Sequence, residues 1–220
     1  LDRINLTFKD AVSANNVGVY LGHFDTNIDE FDLDKMKFTI PKIVMSGVYA
    51  KIIQTEPAVK PESTSVVEAE SNVPIDMNLK LGTVDLSKIR VNYQNDLSAL
   101  KSDINLGKLL AEVDSINLKK QRVSLENLSL NNTQSLIVLG KTVQAKIVAQ
   151  EVTKEVKAQL NNDWQVNIAN VDFNNNNFRF DNFNLPVQRR GLDFGHLGIS
   201  NLNVKAEDFF YSLDTISGDV

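Results

Sequence analysis

The side chains able to do chemistry are few, and their spacing assembles no catalytic set. Asp193-Phe194-Gly195 spells the metal-holding triplet of protein kinases, but the chain has neither a Gly-rich phosphate loop nor a His-Arg-Asp loop to act with it. His23 and His196 hold equivalent places in the internal repeat described below, and Lys108 takes that place in the copy between them. A general base or metal ligand does not exchange freely with Lys. With no Cys and no second His nearby, no metal set is completed. Both histidines read as strand or turn residues. Arg189-Arg190, close to Pro186, could touch a phosphate, but the simpler reading is a solvated turn. No Ser-His-Asp arrangement and no paired carboxylates stand out. The expectation is a protein that is not an enzyme and uses no cofactor or metal.

Composition narrows the partners. The 220 residues carry a net charge of -5 with both signs interspersed, so the basic stripe of a nucleic-acid binder is missing. Cysteine is absent, which removes any disulfide framework. No apolar run reaches the roughly 18 residues of a membrane-spanning helix, and no signal-peptide pattern is present. The chain opens on Leu1 inside a strand-like pattern and stops in mid-repeat at Val220. It reads as an excerpt of a longer protein whose targeting and membrane segments lie outside it.

The elements must therefore be read from apolar spacing, and the spacing repeats. Leu106, Leu109, Val113, Ile116, Leu118, Val123, Leu125, Leu128 and Leu130 are matched 85 residues earlier by Leu21, Phe24, Ile28, Phe31, Leu33, Phe38, Ile40, Ile43 and Met45. Gly22 matches Gly107 at the same offset. A third copy is read 86 to 88 residues on. It sets Leu192 to Leu197 against Ile104 to Leu109, then Ile199, Leu202 and Val204 against Val113, Ile116 and Leu118, and Phe209 and Tyr211 against Val123 and Leu125. Val166, Ile168, Val171 and Phe173 match Leu79, Leu81, Val84 and Leu86 at 87. The chain is thus one continuous section of a tandem array, with copies over residues 1–55, 74–139 and 164–220.

Within each copy the period is two, the mark of half-buried strands. Asp25, Asn27, Asp32 and Asp34 supply turn chemistry between them, and Asn174 to Asn177 read as a four-residue turn. Two insertions, 56–73 and 140–162, interrupt the pattern. Residues 56–72 are rich in Pro, Ser and Glu and read as a mobile loop. In the second, Val148, Val152, Val156 and Leu160 are spaced for a short amphipathic helix, with a solvated coil as the other reading.

Strands with one apolar face and no long helix to cover it allow a sandwich, a barrel or a curved repeating sheet. The third fits a repeat that continues past both ends. The expected fold is all-β: an elongated array of curved, antiparallel-type sheet forming an apolar groove. At about 4.8 Å per strand, five or six strands would advance each repeat by roughly 25 Å. The groove-facing candidates are Phe38, Ile40, Leu79, Leu81, Ile116, Leu118, Val123, Leu125, Val166, Ile168, Phe178, Phe180, Leu202 and Val204. The aromatics of the last third, from Phe178 to Phe210, serve core packing or contact with an apolar ligand.

The run WQVNIANVDFNNNNFRFDN, followed by GLDFGHLGISNLNV, resembles the TamB family (translocation and assembly module) of AsmA-like proteins. The earlier IDEFDLDKMKFTIPKIVMSGVYAKI resembles the front repeats of that family. The resemblance covers most of the chain apart from the two insertions. It implies a β-groove of the bridge-like lipid carriers, anchored in the inner membrane, crossing the periplasm and shielding phospholipid acyl chains on the way to the outer membrane. On that reading the partners are phospholipid, a membrane reached through segments outside this chain and outer-membrane assembly proteins, with no nucleic acid. The alternative is an assembly scaffold whose sheet edges pair with strands of outer-membrane protein clients. A shorter-rung β-solenoid fits an 86-residue period poorly.

Overall fold

The computed structural model describes residues 1–10, 14–55, 77–141 and 164–220. The readings placed on residues 56–72 and on Val148 to Leu160 lie outside them. Eleven strands form: β1 (Asp2–Asp10), β2 (Asn15–Asn27), β3 (Glu30–Asp32), β4 (Lys37–Gln54), β5 (Asn78–Asn95), β6 (Leu100–Asn117), β7 (Arg122–Asn131), β8 (Gln134–Leu139), β9 (Gln165–Asn182), β10 (His196–Tyr211) and β11 (Ile216–Asp219). All belong to one sheet, in the order β1-β2-β4-β5-β6-β7-β9-β10-β11. β3 pairs with β4, and β8 pairs with β6 and β9. The described residues contain no helix, so none is long and apolar enough to cross a membrane.

The protein is all-β, but the sheet is mixed rather than antiparallel. β5 lies parallel to β4, with Lys37 opposite Asn78 and Gln54 opposite Asn95. β9 lies parallel to both β7 and β8. An 18-residue strand is roughly 60 Å long. The chain must return that distance between Gln54 and Asn78, and again between Leu139 and Gln165. A hairpin turn cannot do this, and a crossover of a dozen or more residues can. The two interruptions read from composition fall at those two places in the chain.

The strands are also longer and fewer than expected. From Asn15 to Asn95 the sheet gains three full-length strands (β2 with β3, β4, β5), not five or six. The reason lies in steps of three within the period of two, such as Met45 to Val48, Leu86 to Ile89 and Leu106 to Leu109. At these steps the chain does not turn. It continues through a β-bulge, and on several strands, though not at Leu106 to Leu109, one residue there enters the left-handed region. Gly47 (φ 66), Lys88 (φ 52), Asn132 (φ 53), Asn175 (φ 53) and Asn201 (φ 52) are such residues. Strand pairing sets them side by side, so the bulges form one line across the sheet. Gly107 stands on that line because a Cβ there would lie 2.5 Å from the Asn131 carbonyl oxygen.

The four-Asn stretch is likewise strand, not turn. Asn174 to Asn177 continue β9 through the bulge. Asp25 and Asn27 lie within β2. True turns are capped by Asx side chains at strand ends. The Asp32 carboxylate accepts the Lys35 N–H at 2.9 Å, the Asn95 side-chain oxygen that of Leu97 at 2.9 Å, and that of Asn117 the Lys120 N–H at 2.8 Å. The first N–H is the main cause that holds Asp32 below the usual carboxylate range.

The third sequence copy is displaced from the strands it was set against. Leu118 lies in the turn after β6, whereas Val204 lies inside β10; Val123 and Leu125 lie on β7, whereas Phe209 and Tyr211 lie on β10. β10 follows β9 antiparallel, as β6 follows β5. The connection before β10 is residues 183–195, against 96–99 before β6. That extra length carries the third copy out of step.

Candidate functional site

Cross-strand pairing brings the apolar positions to one face. Across the upper part of the sheet run Leu6, Val19, Ala50, Val91, Ile104, Ser135, Phe178 and Ile199, each opposite the next. A second row runs Phe24, Met45, Leu86, Leu109, Leu130, Phe173 and Val204. Lower down, Ile116, Val123, Val166, Tyr211 and Ile216 line up in the same way. Each bulge shifts the parity of its strand, and because the bulges are aligned the face stays apolar past them.

Thirteen of the fourteen sequence candidates lie on this face. Phe38 and Ile40 stand opposite Leu79 and Leu81, and Phe38 meets Phe31 edge-on with ring centroids 5.1 Å apart. Ile116 faces Val123, which faces Val166; Leu125 faces Ile168; Val204 faces Phe173; Leu202 faces Asn176. Phe178 and Phe180 face Ser135 and Ile137. Leu118 is the exception, placed in the turn at the end of β6. The candidate set missed the upper row around Val91 and Ile104, although the step of three before Ile89 marks it in the sequence.

Nothing among the described residues covers the face. Among the described residues only Ile168, Val171 and Ala206 are buried hydrophobics, and no side chain reaches full burial. Around those three pack Leu125, Leu128, Val166, Phe173, Val204 and Phe209, the most enclosed patch of the sheet. The other candidates are half-buried, a level of exposure that a second layer would remove.

The opposite face is polar, and a hollow of about 960 Å³ spanning β5 to β10 is lined from both faces, with Ser135, Phe178 and Ile199 of the upper apolar row among its lining residues. Arg90, Asp103, Asn105, Gln134, Arg179 and Asp181 line it. Asp181 is buried and pairs with Arg179 at 2.6 Å. A smaller hollow of about 470 Å³ beside Leu79, Leu81 and Ile116 is the one that candidate residues share most fully. No cluster of three or more metal-ligating side chains occurs among the described residues. His23 contacts Asp2 at 2.6 Å across the β1–β2 pair, and that hydrogen bond is the main reason the Asp2 carboxyl lies below its usual range. His196 contacts Asp193 at 3.1 Å. Each histidine thus has a carboxylate partner within its own hairpin or loop.

Together these features define the class: an all-β protein built on one large mixed sheet, with one apolar face that the described residues leave uncovered. Comparison with family models, curated proteins and solved structures finds no match to the chain.

Proposed function

We propose that the apolar face is the lining of a lipid-bearing groove, shielding phospholipid acyl chains in transit between the inner and outer membranes. On this reading the chain is a periplasmic section of an inner-membrane-anchored protein of the TamB kind, without catalytic chemistry. The observation that carries it is the run of paired apolar rows across the sheet, over which none of the described residues forms a layer. Exposed apolar surface on that scale serves a ligand or partner. A repeating architecture is supported by the backbone as well as by side chains. Left-handed residues at Ala14, Met36 and Gly47 recur 85 residues on, at Ala99, Gln121 and Asn132. The polar face would then face water.

The test is native mass spectrometry of the protein purified in mild detergent, with lipid extraction. Co-purifying phospholipid is expected. Val91→Asp with Ile104→Asp, opposite each other at the centre of the face, should cut bound lipid at least about fivefold while the β circular-dichroism spectrum is kept, since an exposed face loses little packing to a polar residue. A lipid-free, monodisperse protein rejects the groove.

That outcome would favour the assembly scaffold, which one observation supports. Among the described residues β1 stands at one end of the sheet, and its Ile4, Leu6 and Phe8 side chains are exposed. An unpaired edge of this length is a template for strand addition.

A further inference from the structure

The connection between β9 and β10 is built inside out. Its residues 183–195 replace what residues 96–99 do between β5 and β6. Its polar groups are turned inward. Asp193 accepts the N–H of Gln188 at 2.9 Å and that of Gly195 at 3.0 Å, with the His196 ring beside it. These contacts, the Gln188 N–H foremost, hold the carboxyl below its usual range. The Asn184 amide donates to the Gly140 carbonyl at 2.9 Å. Gly191, at φ 76, makes the tip turn. Apolar side chains are left outside: Phe183 is 47% exposed, Leu185 51%, Val187 70%, Leu192 58% and Phe194 70%. A loop made only for water would do the reverse. Between Val187 and Leu192 stand Arg189 and Arg190, both exposed. The nearest acid in sequence, Asp193, is occupied by the loop's own N–H groups.

We propose that this loop docks on a lipid bilayer containing anionic phospholipid. Phe183, Leu185, Val187, Leu192 and Phe194 enter the boundary between headgroups and acyl chains, and Arg189 and Arg190 meet the phosphates. The composition fits an anionic bilayer: one loop carries exposed apolar side chains for the acyl boundary and two adjacent exposed guanidiniums for the phosphates. A protein groove would take a compact anchor and need not offer anionic phosphates to two adjacent guanidiniums. The site stands at the end of the long strands β9 and β10 and does not depend on lipid entering the groove.

Trp164, the only tryptophan, directly precedes β9, while the loop follows its other end, roughly 60 Å away at about 3.3 Å per residue. Trp164→Phe with Phe194→Trp therefore gives a single reporter on the loop. It is mixed with phosphatidylcholine vesicles with or without phosphatidylglycerol. A blue shift and co-flotation with the anionic vesicles are expected. In flotation of the otherwise unaltered chain, Val187→Asp with Phe194→Asp should weaken binding at least about tenfold. Arg189→Glu with Arg190→Glu should weaken binding to anionic vesicles by about tenfold, with little change on neutral ones. The loop side chains are exposed, so these variants keep the fold, and circular dichroism checks it. The proposal is overturned if the reporter does not shift, or if both loop variants bind as the unaltered chain does. It is also overturned if Val91→Asp with Ile104→Asp abolishes flotation while the loop variants keep it. If that face variant loses co-purified lipid and still floats, the two proposals stand independently.

Discussion

Replacing Asn176 by Ala should cost about 2–4 kcal/mol of stability, a large effect for one polar side chain. Asn176 is 5% exposed and sits on β9 opposite the gap between β7 and β8. There the bulge at Asn132 takes two backbone groups out of the ladder. The Asn176 side chain replaces their partners: its oxygen accepts the Thr133 N–H at 3.0 Å, and its nitrogen donates to the Leu130 carbonyl at 2.7 Å. Alanine removes both bonds and leaves a buried donor and a part-buried acceptor, with a cost of about 1–3 kcal/mol for a fully buried unsatisfied group and less for a part-buried one. Water entering the space left by the amide would keep the total below the sum of the two upper limits. Asn176→Asp keeps an acceptor for Thr133 but presents oxygen to oxygen at Leu130, so it should cost at least as much. Asn174→Ala, on the exposed neighbour, should stay within about 0.5 kcal/mol. The assay is urea unfolding followed by circular dichroism with linear extrapolation, together with hydrogen exchange at the Thr133 amide. Asn176→Ala within about 0.5 kcal/mol of the unaltered protein, with Thr133 still protected, would refute the bridge.

Gly107→Ala should destabilise by about 1–3 kcal/mol, because its Cβ would sit 2.5 and 2.6 Å from the carbonyl oxygens of Asn131 and Asn132. Gly198→Ala meets nothing within 4 Å and should be neutral or slightly stabilising; equal melting temperatures for the two would contradict the aligned bulges. Asp193 is held below its usual pKa by the Gln188 N–H, His196 and the Gly195 N–H, so its contribution is present above the ordinary Asp value and lost as pH falls through the folded one. The loop at 183–195 should therefore open below about pH 4, read as movement of the Gln188 amide resonance. Asp193→Asn should weaken the loop at neutral pH and abolish that dependence.

Much of the candidate site was legible in the chain, and for a local reason. A strand's side chains alternate, so apolar residues at every second position name a face without reference to any neighbour. Thirteen of the fourteen candidates, from Phe38 to Val204, fall on one face for this reason. Leu118 failed because a turn residue can keep the apolar type of its strand. The loop at 183–195 was under-read. Phe183, Leu185 and Phe194 have the same composition whether they point inward or outward, and only the hydrogen bonds of Asp193 and Asn184 determine which.

What the sequence by itself determined is the alternation, the 85-residue spacing between Leu21 and Leu106, and the positions of the two long interruptions. What tertiary structure decided is how those pieces join. Whether Met45 to Val48 is a turn or a bulge depends on whether the strand beside it continues, since a left-handed residue is compatible with either. Whether β5 lies parallel or antiparallel to β4 depends on where the chain re-enters the sheet after Gln54, and pairing across 41 residues leaves no local mark. The exposure of the apolar face among the described residues is likewise a tertiary matter, because it depends on which other elements pack against it.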